Sequence, residues 1–145
     1  MRVLIQRVSS ASVTVNKRIV GQIGKGFVVL LGITHNDTKK EAFFLADKVV
    51  NLRVFEDADG KMNLSLKDVI GKVLIISQFT LYGDASHGRR PSFTEAASPD
   101  RAIPLYEYFI EEIKRKEIEV QTGIFGAHMD VEINNSGPVT IMIEK

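Results

Sequence analysis

The segment Asn135-Ser136-Gly137-Pro138-Val139-Thr140 constrains the fold of this chain more than any other. Strand-like runs flank it, from Ala127 to Ile133 on one side and from Val139 to Ile143 on the other. Proline gives no N–H to a sheet ladder and fixes its own φ, so within a sheet it belongs at an edge, a strand start or a bulge. The glycine before it can take backbone angles closed to other residues. An X-Pro bond is also the one peptide link that becomes cis at modest cost. The pattern predicts a stiff corner with bare carbonyl groups and almost no side chain, a shape suited to gauging a ligand by lack of room.

Around that corner the chain reads as alternating strands and two helices. Val3, Ile5 and the run to Val8 predict a first strand, and Ala11 to Val15 a second. Asn16-Lys17 turns the chain into Arg18 to Ile23, giving an antiparallel meander. Gly26 to Ile33 is continuously apolar, as expected of a strand covered on both faces. Thr38 with Glu41 forms a capping-box pattern, and Ala42, Leu45, Ala46 and Val49 recur at helical spacing to about Arg53. Lys72 to Ile76 opens another apolar strand, which runs into Ser77-Gln78-Phe79-Thr80. After a loop from Gly83 to Ala97, Ser98 caps a second helix with Pro99 at its first position. Ile103, Tyr106, Ile110 and Ile113 form its apolar stripe, and Glu111 with Arg115 and Glu112 with Lys116 are expected pairs one turn apart. A last group of strands covers Ile118 to Val120, Ala127 to Ile133, and Val139 to Ile143. The sum is a mixed α/β domain with more strand than helix, one unit spanning residues 1–145.

Composition excludes several kinds of function. With no cysteine there is no disulfide, thiolate nucleophile or cysteine zinc cage, which fits a cytoplasmic protein. The start Met1 to Val8 is too polar and short for a signal peptide, and no apolar run approaches the ~20 residues of a membrane helix. A net charge of +1 argues against a broad cationic coat for nucleic acid. Contact with RNA would be local, and His87-Gly88-Arg89-Arg90-Pro91 is the basic loop that offers it; a solvated turn reads equally well. Asp57-Ala58-Asp59-Gly60 begins like a calcium loop but lacks the later ligands and closing glutamate.

The usual nucleophile arrangements are absent. There is no Gly-x-Ser-x-Gly elbow, and His35, His87 and His128 are scattered without zinc spacing. Ser77, Gln78 and Thr80 instead place three polar side chains at the end of a greasy strand. Buried polar groups left unpaired cost on the order of 1–3 kcal/mol each, so these residues either line a pocket or satisfy neighbouring backbone. Catalysis, if any, then falls to backbone N–H groups aimed at a developing oxyanion, which suffices only for a reactive substrate such as an activated ester.

Ser77-Gln78-Phe79-Thr80-Leu81 and Asn135 to Thr140 together resemble the two signature motifs of the D-aminoacyl-tRNA deacylases. The start Met1 to Val8 and the segment Gly123 to Met129 match that family's character as well, so the likeness spans the chain. It implies a three-layer α/β/β fold with packed, barrel-like, mostly antiparallel sheets and two main helices. It further implies a homodimer that hydrolyses the ester joining a D-amino acid, or glycine, to the terminal adenosine of tRNA, with no cofactor and no metal. Carried onto this sequence, the Gly137–Pro138 bond would be cis and would enter the partner's pocket, its carbonyls holding the substrate's α-ammonium group. Ser77, Gln78, Phe79 and Thr80 would line the ester site, Phe125 and Met129 the adenosine. An L side chain would be driven into the Gly-Pro wall while a D side chain points outward. Two alternatives stand beside this reading: an esterase with Thr80 as nucleophile, and a dimeric tRNA-binding module without catalysis that rests on Arg89 and Arg90.

Overall fold

The structure, a computed structural model, describes every residue from Met1 to Lys145. Its strands are β1 (Arg2–Val15), β2 (Arg18–Ile23), β3 (Gly26–Gly32), β4 (Phe55–Glu56), β5 (Met62–Leu64), β6 (Lys72–Ser77), β7 (Val120–Thr122) and β8 (Asp130–Glu144). The helices are α1 (Lys39–Asn51) and α2 (Pro99–Lys114), with a 3-10 turn at Phe79–Tyr82. Six strands form one sheet in the order β2-β1-β3-β6-β7, with β8 along the free side of β1. β1 runs antiparallel to β2, β3 and β8, whereas β3–β6 and β6–β7 are parallel. The fold is thus the expected mixed α/β type, with a mixed sheet.

Two cores lie on opposite faces of this sheet. On one, Val3, Ile5, Phe27, Val29, Leu31, Val73 and Ile75 meet α1 through Ala42, Leu45, Ala46 and Val49, and α2 through Tyr106, Phe109, Ile110 and Ile113. On the other, Val8, Ala11, Val13, Ile23, Val28, Leu74 and Ile76 pack together where the sheet curls. The curl brings β2 against β7: a Cβ at Gly21 would lie 2.8 Å from the Thr122 carbonyl oxygen, so the closure depends on a residue without a side chain. The two covered faces explain the unbroken apolar run of β3.

The capping box of α1 forms as expected. The Thr38 hydroxyl accepts from the Lys40 amide at 3.2 Å, and Glu41 accepts from the Thr38 amide at 2.8 Å, an arrangement that stabilises a helix start by about 1 kcal/mol. At the end of α2 the expected i,i+4 pairs give way to Lys114–Glu111 and Arg115–Glu112, three residues apart. Lys116 lies beyond the last helical residue and reaches α1 instead, 2.6 Å from Asp47.

Two pairs of expected strands are each one strand. Ser9-Ser10 does not end β1; register shifts against β8 between Gln6 and Ser10 absorb the polar pair, and the Ser10 hydroxyl accepts from the Asn134 side chain at 2.7 Å. Likewise, Gly137-Pro138 does not divide β8. Gln6 faces Thr140 and Val8 faces Asn135, so β1 advances two residues where β8 advances five. Ser136 to Val139 therefore bulge outward opposite Arg7, which is where a sheet tolerates proline. The strand expected at Ile118 to Val120 begins later, at Val120.

Candidate active site

β3 and β6 run parallel, so their C-terminal ends open at the same side of the sheet, with Leu31 facing Ser77. Beyond Ser77 the strand stops: the Gln78 amide makes a last ladder bond to the Leu31 carbonyl at 2.8 Å, and the chain winds into the 3-10 turn. Its first internal bond runs from the Leu81 amide to the Gln78 carbonyl at 3.2 Å. The Phe79 and Thr80 amides stand at the head of the turn, outside its internal bonding. Two N–H groups that the turn itself does not use, at a strand end, are the elements of an oxyanion site.

Phe79 lines a cavity of about 580 Å³, and Thr80 follows it just outside. Leu31, Ile33, Ile76 and Ser77 form its floor, with Gln78 and Phe79 at one corner. One wall is the β7–β8 loop, carrying Phe125, His128 and Met129; the other is the segment from Phe93 to Ala97 with the start of α2. Of the 17 lining residues 12 are hydrophobic, and His128 is the one with a titratable side chain. Phe125 is fixed edge-on to Tyr106, with ring centroids 5.6 Å apart. Burial pushes the Tyr106 hydroxyl up to about 12, so it stays protonated and donates to the Ile75 carbonyl at 3.1 Å. Such a cavity offers an apolar seat, a few fixed dipoles and no carboxylate base.

Five of the expected residues, Ser77, Gln78, Phe79, Phe125 and Met129, come together in this cavity from two distant parts of the chain. Thr80 lies beside it, exposed, its hydroxyl hydrogen-bonded by the Gln78 side chain. Arg89 and Arg90 are exposed on the loop before Phe93. Gly137 and Pro138 are not in the cavity of their own chain; they stand exposed on the β8 bulge, joined by a cis peptide bond.

That bulge is braced from within, chiefly by a residue that sequence reasoning missed. Arg7 is buried, and its Nε donates to the Ser136 carbonyl at 3.1 Å while Nη1 donates to the Val54 carbonyl at 2.6 Å. Asn135 closes the loop by accepting from the Val139 amide at 3.0 Å. Gly137 has φ +119°, and a Cβ there would lie 2.7 Å from Arg7 Nη2. The sequence does carry a signal for Arg7: it shares the odd-numbered, inward face of β1 with Val3 and Ile5.

Comparison with known proteins matches this architecture to one family. A D-aminoacyl-tRNA deacylase of Thermus aquaticus is 58% identical over 144 residues, covering 99% of this chain and 95% of that protein. One from a Geobacillus species (strain WCH70) is 57% identical over 144 residues, with the same coverage of each. Among solved structures, one described as a c-Myc DNA unwinding element binding protein superposes with a TM-score of 0.93 at 42% identity, covering 100% of this chain and 99% of that one. The family model for D-Tyr-tRNA(Tyr) deacylase matches residues 4–144, and the chain belongs to that family.

Proposed function

We propose that this protein hydrolyses the ester of D-aminoacyl-tRNA, and of mischarged glycyl-tRNA, releasing the free amino acid and tRNA. The observation that carries this reading is a largely apolar cavity without a carboxylate, in which His128 is the one titratable side chain, beside two turn-head amides that the turn does not use. Aminoacyl esters are labile, so positioning and oxyanion stabilisation do most of the work; a single such donor is worth about 10²–10³ in rate. The ester carbonyl sits at Phe79 and Thr80, with Ser77 and Gln78 beside it, and the terminal adenosine rests on Phe125 and Met129. Water, positioned with help from the neighbouring ribose hydroxyl, attacks the carbonyl carbon. No cofactor or metal is required. Arg89 and Arg90 meet the tRNA by local phosphate contact, and the enzyme works in the cytoplasm.

Selection of hand comes from a second copy of the chain. In this reading the protein is a homodimer, and Gly137-Pro138 of one protomer enters the cavity of the other. Three features support it. The bulge stands exposed outside its own cavity; the far edge of β8 has no partner strand; and Phe79 and Met142 are more than half exposed, at 57% and 54%. The Gly137 and Pro138 carbonyls hold the α-ammonium group, and the narrow wall leaves no room for an L side chain.

A Thr80 nucleophile is less well supported, because the Thr80 hydroxyl lies outside the cavity lining and pairs with an amide rather than a base. A tRNA-binding module without catalysis gives no role to the apolar cavity at the end of β6. The test is paired hydrolysis of D-Tyr-tRNA, Gly-tRNA and L-Tyr-tRNA by the wild type, Pro138→Ala and Thr80→Ala. The wild type should release D-Tyr and glycine and spare L-Tyr, Pro138→Ala should narrow the gap, and Thr80→Ala should keep activity within about tenfold. Equal turnover of the L ester by the wild type would refute the reading.

A further inference from the structure

The loop from Gly83 to Ala97 is rich in glycine, serine and arginine, yet it carries one large apolar residue, Phe93, whose ring reaches the cavity. The segment around it is firmly tied down. The Asp84 and Ser92 backbones exchange two hydrogen bonds of 2.8 Å, closing the loop behind the arginines. Thr34 Oγ1 donates to the Glu95 carbonyl at 2.6 Å, His35 Nε2 lies 2.7 Å from the Thr94 carbonyl, and the Ala97 amide donates to the Ile33 carbonyl at 2.9 Å. Phe93 thus projects from a strap anchored to the residues that follow β3.

The ring touches both ends of the 3-10 turn. At the head it packs edge-on against Phe79, with centroids 5.2 Å apart and planes at 71°, a favourable aromatic geometry. At the tail it covers Gly83 so closely that a Cβ there would lie 2.9 Å from its Cε1 atom. Between these two points lie the Phe79 and Thr80 amides. Phe93 is itself 39% exposed and Phe79 57% exposed.

We infer that Phe93 is a positioning residue for the deacylation: by clamping the 3-10 turn at both ends it sets the direction of the Phe79 and Thr80 amides. It touches no reacting atom in this role. The inference rests on the deacylase reading above and adds a residue to it. Without the ring, the Phe79 side chain is free to turn and the head of the turn to shift. Misplacing a catalytic group by about 1 Å costs on the order of 10²-fold in rate.

The experiment measures kcat and KM for wild type, Phe93→Ala, Phe93→Leu and Phe93→Tyr on D-Tyr-tRNA and Gly-tRNA, with thermal unfolding alongside. Phe93→Ala should lower kcat by roughly 10- to 100-fold on both substrates alike while KM stays within about threefold. Phe93→Tyr, which keeps the ring edge, should recover most of the loss. Phe93→Leu should fall between, and it carries the same test should the alanine variant fail to fold. A loss confined to D-Tyr-tRNA would mean that the ring touches the acyl side chain, and would overturn the inference. So would a rise in KM alone, unchanged kcat, or no recovery by tyrosine. A wild type inactive on both substrates would instead refute the deacylase reading itself.

Discussion

Replacing Arg7 by methionine tests whether the Gly137-Pro138 bulge must be held from within. Methionine keeps the apolar stem and removes the guanidinium, whose side chain is only 8% exposed. Two carbonyls lose their donor. The Val54 carbonyl is buried, and leaving it unpaired costs about 1–3 kcal/mol. The Ser136 carbonyl is part-exposed and recovers some of its bond from water. The ion pair with Glu56 adds little, because it spans 3.5 Å and that carboxylate is 56% exposed. Against these losses, burying a charge is itself costly and methionine relieves that cost. The net is a destabilisation of about 2 kcal/mol, or a fall in Tm of about 4–8 °C for a domain of this size. The larger effect falls on selectivity. If, as proposed, the bulge is the wall that excludes L side chains, releasing Ser136 gives it freedom of the order of an ångström, and the ratio of D-Tyr-tRNA to L-Tyr-tRNA hydrolysis should fall by about 10- to 100-fold. Thermal unfolding and paired hydrolysis read the two effects separately. A lowered Tm with an unchanged ratio would make Arg7 a staple between β1 and β4 and nothing more. No change in either would refute its structural role too.

Three other outcomes follow from the geometry. The Lys116 ammonium, hydrogen-bonded to Asp47, holds that carboxyl below its ordinary value of 3.8. A depressed folded-state pKa contributes stability above 3.8 that is lost as pH falls through the folded value. Asp47→Asn should therefore cost under about 1 kcal/mol at pH 7, since the pair is half-exposed, and should flatten the decline of stability below pH 4 in denaturant titrations; an unchanged acid limb would contradict the pairing. Gly21→Ala places a methyl group 2.8 Å from the Thr122 carbonyl oxygen and within 3.3 Å of Leu74 and Val13. It should cost about 1–3 kcal/mol, read as a lower urea midpoint, and an unmoved midpoint would mean that β2 and β7 are not closely packed. Changing Arg89 and Arg90 together to alanine should raise KM and leave kcat alone. The slope of log KM against log salt should fall by roughly one for each phosphate no longer neutralised, and an identical slope would remove these residues from the tRNA interface.

What the sequence revealed of the fold was its local part. The capping box of Thr38 and Glu41, the apolar face of α1 and the doubly covered run of β3 depend on neighbours a few residues away, and each was legible. The continuity of β1 and of β8 was not. Ser9-Ser10 and Gly137-Pro138 look like strand breaks because a bulge is defined by the register of the partner strand, more than a hundred residues distant. The same separation limited the reading of the site. Ser77, Gln78, Phe79, Phe125 and Met129 stand out by polarity or by family likeness, whereas Leu31, Ile33, Ala96, Ala97 and Ala102 are ordinary core types and only the fold makes them walls.

A site that selects by exclusion and catalyses through main-chain dipoles has an unusual need. Its reacting groups are amides and carbonyls that every residue possesses, so what sets it apart is how firmly those groups are aimed. On the reading proposed for this chain, two side chains do the aiming: Arg7 beneath the bulge of β8, and Phe93 across the 3-10 turn. Neither offers a nucleophile, a base or a metal ligand, and a search for such chemistry passes over both. Each still leaves a trace in the sequence as a residue out of place, a charge on the inward face of an apolar strand and an aromatic ring in a polar loop. Where a chain lacks catalytic side chains, such misfits point to the rigid parts of its site, because a misfit is tolerated only where the surrounding structure makes use of it.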